Sequence, residues 1–390
     1  MTIWLIEPRD PLIVRDGRPF NPDPGARAIS LPFPLPSTTT GALRTQAGLD
    51  HHGHFDSQKS EEVKQISVRG PLLVEMKDND EIEWLVPAPA DALLIERNKE
   101  AIGPVNRYWL QPRSQHEVEM TDLGVVNPDL LLVRPHRSDP NKPSKRAPAF
   151  WHYNKFYEWL VDPSEERPVD PGELGHGGPQ RESRMHVQMQ PGQRAAEQSM
   201  LFETSGLEFT FHKEQQKLGE ARRLALAVDT DAPLQETIAC MGGERRMVVW
   251  RPTGQEFIKY PRKMYEAIVE HQYCRVILLT PAYFEQGWRP KWLLEPRHNV
   301  TPTLKAVAVQ RPQVMSGWDL EKRQPKLSRR LVPAGSVFFL SLEGDADAIK
   351  RWIEIIWMHC ISDTEQDRLD SFGLAVVGTW DGPPDNHNTT

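Results

Sequence analysis

Cysteine is scarce in this chain: three residues in 390, Cys240, Cys274 and Cys360, with no two of them in a CxxC pair. That scatter excludes a disulfide framework and a thiolate zinc knuckle, and it points to a reducing, cytoplasmic setting. Long apolar runs are missing too: nothing approaches the roughly 20 residues needed to span a bilayer. The opening stretch MTIWLIEPRD meets Glu7 and Pro8 too early for a secretion signal, so no membrane partner is expected. Walker, Rossmann, GxSxG and HExxH patterns are absent, which leaves ordinary hydrolase and nucleotidase readings without an anchor. Net positive charge is lacking as well. At −7, with a pI near 6.0, the chain is not a binder whose whole surface is basic, although a local basic groove remains open to it.

What is plentiful is proline, 35 residues, beside 25 glycines, and together they imply many turns and long excursions from compact domains. The length suits two domains, placed at residues 1–205 and 206–390. TIWLIE and LIVR read as a strand and its bent continuation, and a first helix is expected from Thr38 to about Leu49. FWHYNKFYEWLVD, Phe150 to Asp162, carries a partly apolar helical stripe, and Pro163 to Gln180 reads as loop or linker. RMHVQMQ, LEFTFHK, RRLALAV and RMVVWR then follow as strands, KMYEAIVEHQ as a short helix, and RVILLT, LKAVAVQ and SVFFLSLE as strands. Asp345 to Cys360 is the clearest helix, with Ile349, Trp352, Ile353, Ile356, Trp357 and Cys360 on one stripe. A last apolar strand lies between Gly373 and Gly378. Strand, helix, strands, helix, strand is the order of a split βαβ unit, clearer in the C-terminal half than in the N-terminal one.

Several stretches carry chemistry. In PSTTTGALR, Ser37 is a good N-cap, yet Thr40 stands where a capping box wants Glu or Gln, and the first acid is Asp50. A helix start dressed with Ser37, Thr38, Thr39 and Thr40, opened by Gly41 and followed by Arg44, suits a phosphate. A buried helix start packed on LPFPLP reads equally well. CMGGERR sets Gly242 and Gly243 beside Arg245 and Arg246, and FGLAVVGTW places Gly373 and Gly378 around a strand; plain turns explain each in isolation, and a close RNA backbone explains them jointly. Strand alternation puts Arg184, His186 and Gln188 on one polar face, with Arg194 near the presumed hairpin turn. The basic run Arg134 to Pro148 reads first as a solvated loop, with RNA or an acidic partner as the other reading. The cluster His51, His52 and His54 makes a weak metal set, and His52, His54 or His186 is a candidate base for metal-free RNA cleavage.

Taken in order, IEPRDPLIVRDGRPF, FPLPSTTTGALRT, RMHVQMQ leading to MLFETSGLEF, GGERR, LLTPAYFEQGWRP, VPAGSVFFL and SFGLAVVGTW resemble the third subunit of the Cmr complex, a RAMP-superfamily protein of type III-B CRISPR effectors. The resemblance covers most of the chain. It implies an α+β fold of two ferredoxin-like (RRM-like) domains with long loop insertions, no cofactor and no nuclease centre of its own. It also implies binding of the 5′ tag of crRNA, indirect association with target RNA, and contacts with the large palm-domain subunit and a backbone RAMP subunit. The residues it nominates for RNA are Arg15, Arg18, Ser37 to Thr40, Gly41, Arg44, Arg184, His186, Arg194, Gly242, Gly243, Arg245, Arg246, Gly373 and Gly378. The last glycine segment departs from the family pattern, because Leu374 to Val377 leave little loop to cradle a backbone. The rival function is a metal-independent endoribonuclease that processes precursor crRNA.

Overall fold

The structure, a computed structural model, describes residues 1–15, 27–77, 81–98, 103–113, 130–190, 192–193, 195–212, 221–316, 318–319, 324–325 and 327–383. The chain divides into two units that are each discontinuous: Met1–Glu83 with Gly178–Gln255 and Gln313–Arg330, and Trp84–Gly177 with Glu256–Pro312 and Leu331–Thr390. The division expected at residue 205 falls inside a strand, Ala196–Glu208. Chain order misleads here because each sheet recruits strands from segments far apart in sequence.

In the first unit, β1 (Thr2–Pro8), α1 (Pro36–Ala47) and β2 (Val68–Met76) precede a hairpin of β3 (Gln180–Met189) and β4 (Ala196–Glu208). β5 (Ala221–Thr230), β6 (Thr237–Cys240) and β7 (Met247–Thr253) complete it. The sheet order is β2-β5-β1-β7-β6, with the paired strands antiparallel wherever the register is defined. Leu5 sits opposite Ala227 on one side and Arg251 on the other, so the first strand of the chain is a central one. It is suited to that place because Ile3 to Ile6 are all buried. Charges that cross the sheet are paired: Arg69 with Asp229, Arg251 with Glu7, and Arg222 with Glu75 at 2.8 Å.

The second unit holds α2 (Tyr153–Val161), α3 (Lys263–His271), β8 (Tyr273–Leu278), β9 (Thr301–Ala308), β10 (Val337–Glu343), α4 (Ala346–Ile356), β11 (His359–Cys360) and β12 (Leu374–Thr379). Its antiparallel sheet runs β9-β10-β8-β12-β11. Numbered within each unit, the four main strands of both sheets therefore stand in the order second, third, first, fourth. In each unit one of the two crossovers between these strands carries a helix of more than two turns. The first crossover of unit one carries α1, while its second holds only β6 and the turn at Gly243–Arg245. In unit two α4 fills the second crossover, and the first is reduced to the helical turn Lys291–Leu294.

Two helices are shorter than their periodicity predicts. Phe150–His152 is a strand paired with Leu85–Pro87, which buries Phe150 and Trp151, so α2 starts at Tyr153. α4 stops at Ile356 because Trp357 turns extended and donates its indole N–H to the Ile258 carbonyl at 3.1 Å, and Cys360 then joins β11. The other end of α4 is as expected: the Asp345 carboxylate caps the Ala348 amide at 2.7 Å.

At the centre of unit two lies a buried ion pair. Arg275 of β8 and Asp91 are both wholly enclosed. The guanidinium donates to Asp91, to the Thr379 carbonyl at 2.8 Å and to the Trp159 carbonyl at 2.7 Å. Asp91 also accepts the Trp159 indole N–H at 3.0 Å. Removing one partner strands the other charge in the core, so Asp91→Ala should cost about 3–5 kcal/mol of stability. The double replacement Asp91→Leu with Arg275→Met should cost less than that single change. Chemical denaturation monitored by circular dichroism checks both, and a single mutant as stable as wild type would contradict the account.

Candidate nucleic-acid interface

The helix start is less open than its sequence suggests. α1 begins two residues early, with Leu35 as N-cap and Pro36 in the first turn, so Ser37 is not the cap. Proline favours that place because its ring presets φ and its missing N–H costs nothing there. The Thr38 amide is bonded back to the Leu35 carbonyl at 2.9 Å. Thr39 and Thr40 are buried, and Thr39 donates its hydroxyl to the Pro36 carbonyl at 3.0 Å. Ser37 and Gly41 are exposed, with open space where a Cβ on Gly41 would stand. Arg44, half-buried, donates to the Ile66 carbonyl at 2.9 Å and so anchors α1 to the chain entering β2.

The glycines of CMGGERR serve the protein's own backbone. A Cβ on Gly242, whose φ is +77°, would stand 2.5 Å from the Ile13 carbonyl oxygen, and the Gly243 amide donates to that same oxygen at 2.7 Å. On the other side of the segment, Gly206 of β4 leaves only 2.9 Å between a built Cβ and Pro11 Cβ. Leu12 exchanges both backbone hydrogen bonds with Leu207 at 2.8 Å. Residues 11–15, buried from Leu12 to Val14, thus run as a spine between the hairpin base and the GGERR turn, and the glycines make the passage possible. Ser30 staples the same place, donating to the Ser205 carbonyl and accepting from the Val14 amide at 3.3 Å.

Around this spine the nominated cations gather. Arg15 lies 3.7 Å from Glu244, Arg246 pairs with the same carboxylate at 3.0 Å, and Arg184 pairs with Glu182 at 2.7 Å. The Glu182 carboxylate raises the Arg184 guanidinium above its usual range. Pro11, Ile13, Thr204 and Gly206 join Arg184 and Arg246 around a crevice of about 10 Å³, which is water-sized, so any larger ligand lies on the surface here. Arg245 is exposed and has no partner among the described residues. Exposed ion pairs of this kind contribute little energy and exchange readily for a phosphate.

Along the hairpin the faces are reversed from expectation. His186 is half-buried: its Nε2 lies 2.9 Å from the Thr204 hydroxyl, and its ring stacks on Phe202 at 5.2 Å. Met185, Val187, Met189 and Leu201 are instead 66%, 40%, 51% and 52% exposed. The alternation of RMHVQMQ is real, but the apolar side chains face water because, from Met185 to Met189, β3 has no third strand or covering helix among the described residues. Glu182, Glu244, Phe202 and Gly206 stand beside the nominated residues without having been singled out, although Glu244 lies in GGERR and Phe202 and Gly206 in MLFETSGLEF. Only their pairing across strands brings them in.

The other nominated residues sit elsewhere. Gly373 and Gly378 are buried in unit two: Gly378 lies against the Arg275 guanidinium at 3.1 Å from a built Cβ, and Gly373, at φ +83°, crowds the Ser362 amide. The whole of β12 is buried, so this segment is a core strand and presents no side chain to RNA. Arg18 and Arg194 lie outside the described residues. His51, His52 and His54 are exposed on a turn where Asp50 accepts the His52 and His54 amides at 2.8 and 2.9 Å, and those bonds hold the Asp50 carboxyl below its usual range.

These positions separate by stability. Gly242→Ala should destabilise by more than about 1 kcal/mol, since both its φ and its neighbour forbid a Cβ. Gly41→Ala, on an exposed helical turn with room, should stabilise by roughly 0.5–1 kcal/mol. Thermal melts of the two variants check the contrast.

No curated protein matches the chain in sequence. Among solved structures, the chain is similar to one in the cryo-EM structure of the type III-B Cmr-beta complex bound to cognate target RNA and AMPPnP, at 14% identity and TM-score 0.43 over 86% of each chain. A second Cmr-beta structure bound to cognate target RNA gives 13% and 0.44 over the same shares. The Csm3-Csm4 subcomplex of the type III-A CRISPR-Cas interference complex gives 12% and 0.32 over 88% of this chain and 94% of that one. Residues 4–380 match the family described as CRISPR-associated protein (Cas_Cmr3). With nearly its whole length inside that match, and with the ordered motifs of a Cmr-type RAMP subunit, the chain belongs to the Cmr3 family of CRISPR-associated proteins.

Proposed function

We propose that the protein is a non-catalytic, cytoplasmic RNA-binding subunit of a type III-B (Cmr) effector complex. It caps the 5′ tag of crRNA and joins the large palm-domain subunit to the backbone RAMP subunits in antiviral defence. Both units are ferredoxin-like on this reading, and the shared strand order second, third, first, fourth supports it.

The observation that carries the proposal is the gathering of Arg15, Arg184, Arg245 and Arg246 around the spine at Ile13, at the foot of a hairpin whose apolar side chains are exposed. Guanidinium groups neutralise phosphates and set the position of a strand. The exposed methionines, valine and leucine offer a wedge against unstacked bases. A chain that is acidic overall binds RNA by concentrating its cations in this way. A metal-free ribonuclease needs a base poised to take a proton from a 2′-hydroxyl. His186 instead has one ring nitrogen at Thr204 and its ring against Phe202, and His52 and His54 stand on an open turn.

Tag RNA should therefore bind with strong salt dependence, and Arg245→Ala should flatten the plot of log K against log salt by roughly 0.7, one single-strand phosphate contact. Arg44→Ala, which breaks the anchor to Ile66, should lower the melting temperature more than it changes that slope. Fluorescence anisotropy with tag and scrambled RNA on the assembled complex measures the slopes, and thermal melts of the variants measure the stability. Equal affinity for the two RNAs would refute tag capping, and cleavage of precursor crRNA in EDTA to 2′,3′-cyclic phosphate ends would refute the non-catalytic assignment.

A further inference from the structure

The Trp84–Gly177 segment of unit two builds a second polar site, formed by none of the cations around Ile13. The strand Val105–Trp109 pairs with Ala92–Ile95 on one side and Pro168–Val169 on the other. On it, Arg107 is only 2% exposed. Its Nη2 donates to the Glu165 carbonyl at 3.2 Å, but Nε and Nη1 are enclosed without a hydrogen bond.

The acids nearby are all engaged by other groups. Glu166 is held by His136 at 2.8 Å and Arg137 at 3.1 Å, and Glu158 and Glu165 by Arg167 at 2.6 and 3.3 Å. Asp139 accepts the Tyr108 hydroxyl at 2.7 Å, and Asp162 accepts the Ser164 amide at 2.9 Å. Arg107 is left as a buried guanidinium with no carboxylate bonded to it. Such a group is costly, and a bound anion would repay that cost. Burial lowers the Arg107 pKa, and the positive charge of Arg167 pushes the same way.

Arg107, Arg137 and Arg167 line a cavity of about 140 Å³ whose single carboxylate is the already paired Glu166. A second cavity of about 430 Å³ shares Glu166 and is walled by Trp109, Arg113, His136 and Ser164. There the indole N–H of Trp109 and the Nε of Arg113 are also enclosed without a partner. The smaller space suits a phosphate group, and the larger one suits the ribose and base attached to it, with an aromatic wall and unmade hydrogen bonds to orient them.

We propose that these adjoining cavities form a nucleotide site, with the phosphate among Arg107, Arg137 and Arg167 and the nucleoside beside Trp109. The inference goes beyond crRNA capping and uses none of the residues at the hairpin base, so the failure of either leaves the other standing.

Titrating the full chain with uridine 5′-monophosphate, uridine and inorganic phosphate by isothermal calorimetry tests it. The monophosphate should bind at least about tenfold more tightly than uridine. Arg137→Gln, at a partly exposed position, should remove most of that preference while leaving uridine affinity unchanged. Arg107→Met should abolish the preference and melt no lower than wild type in ligand-free buffer, because it deletes a buried guanidinium that has no carboxylate bonded to it. The dinucleotide UpU separates the two sources of phosphate: binding as tight as the monophosphate assigns the site to an RNA chain, and weaker binding assigns it to a free nucleotide. Equal affinity for uridine and its monophosphate, or no binding of the monophosphate at millimolar concentration, would overturn the proposal.

Discussion

The second unit depends on a charge that water never reaches. Arg275 enters the core on β8, a central strand, and must find a partner there for each of its three guanidinium nitrogens. It does so by drawing in three separate pieces of chain: Asp91, the C-terminal turn of α2 through the Trp159 carbonyl, and the end of β12 through Thr379. Trp159 closes the circuit by donating to Asp91. A buried ion pair adds little net stability over apolar packing, but it tolerates only one arrangement, because any misplacement leaves a charge alone in low dielectric. This is why Gly378 lies where it does. A side chain at that position would push against the guanidinium.

In the first unit the organising constraint is the backbone. Residues 11–15 pass between β4 and the GGERR turn with no room to spare, and each close approach falls on a glycine: Gly206, Gly242 or Gly243. The Ile13 carbonyl accepts the Gly243 amide, and Leu12 locks to Leu207. The consequence for function is geometric. The spine stands among Arg15, Arg184 and Arg246, which pair with Glu182 and Glu244 at 2.7 to 3.7 Å.

Much of the fold was legible in the sequence. Short β-prone apolar runs located β1, β5, β7, β8 and β10, and the 3.6-residue stripe located α4. These elements follow from local rules, since residue type and period are properties of a short stretch. The ends of α2 and α4 were not legible, because Phe150 and Trp357 leave the helix to satisfy partners distant in sequence. The split between units was hidden for the same reason. The placement of the nominated residues was half legible: Arg184 and Arg246 line one crevice, while His186 packs on Phe202 and Thr39, Thr40, Gly373 and Gly378 are occupied by packing. Their residue types suit a phosphate, but type says nothing about which side of a surface a residue faces.

The sequence by itself determined the family, the preponderance of β-structure, and the presence of local basic clusters in an acidic chain, because composition, periodicity and motif order are all one-dimensional quantities. Only the tertiary structure decided which glycines yield to the chain's own backbone, which arginines are held in the core, and which face of the hairpin meets water. Those are matters of what stands opposite each residue. A Cβ at Gly242 is forbidden by Ile13, and the charge of Arg107 is left without a bonded carboxylate by the engagement of Glu158, Glu165 and Glu166 elsewhere. Neighbours of that kind are more than 50 residues away along the chain, and only folding brings them into contact.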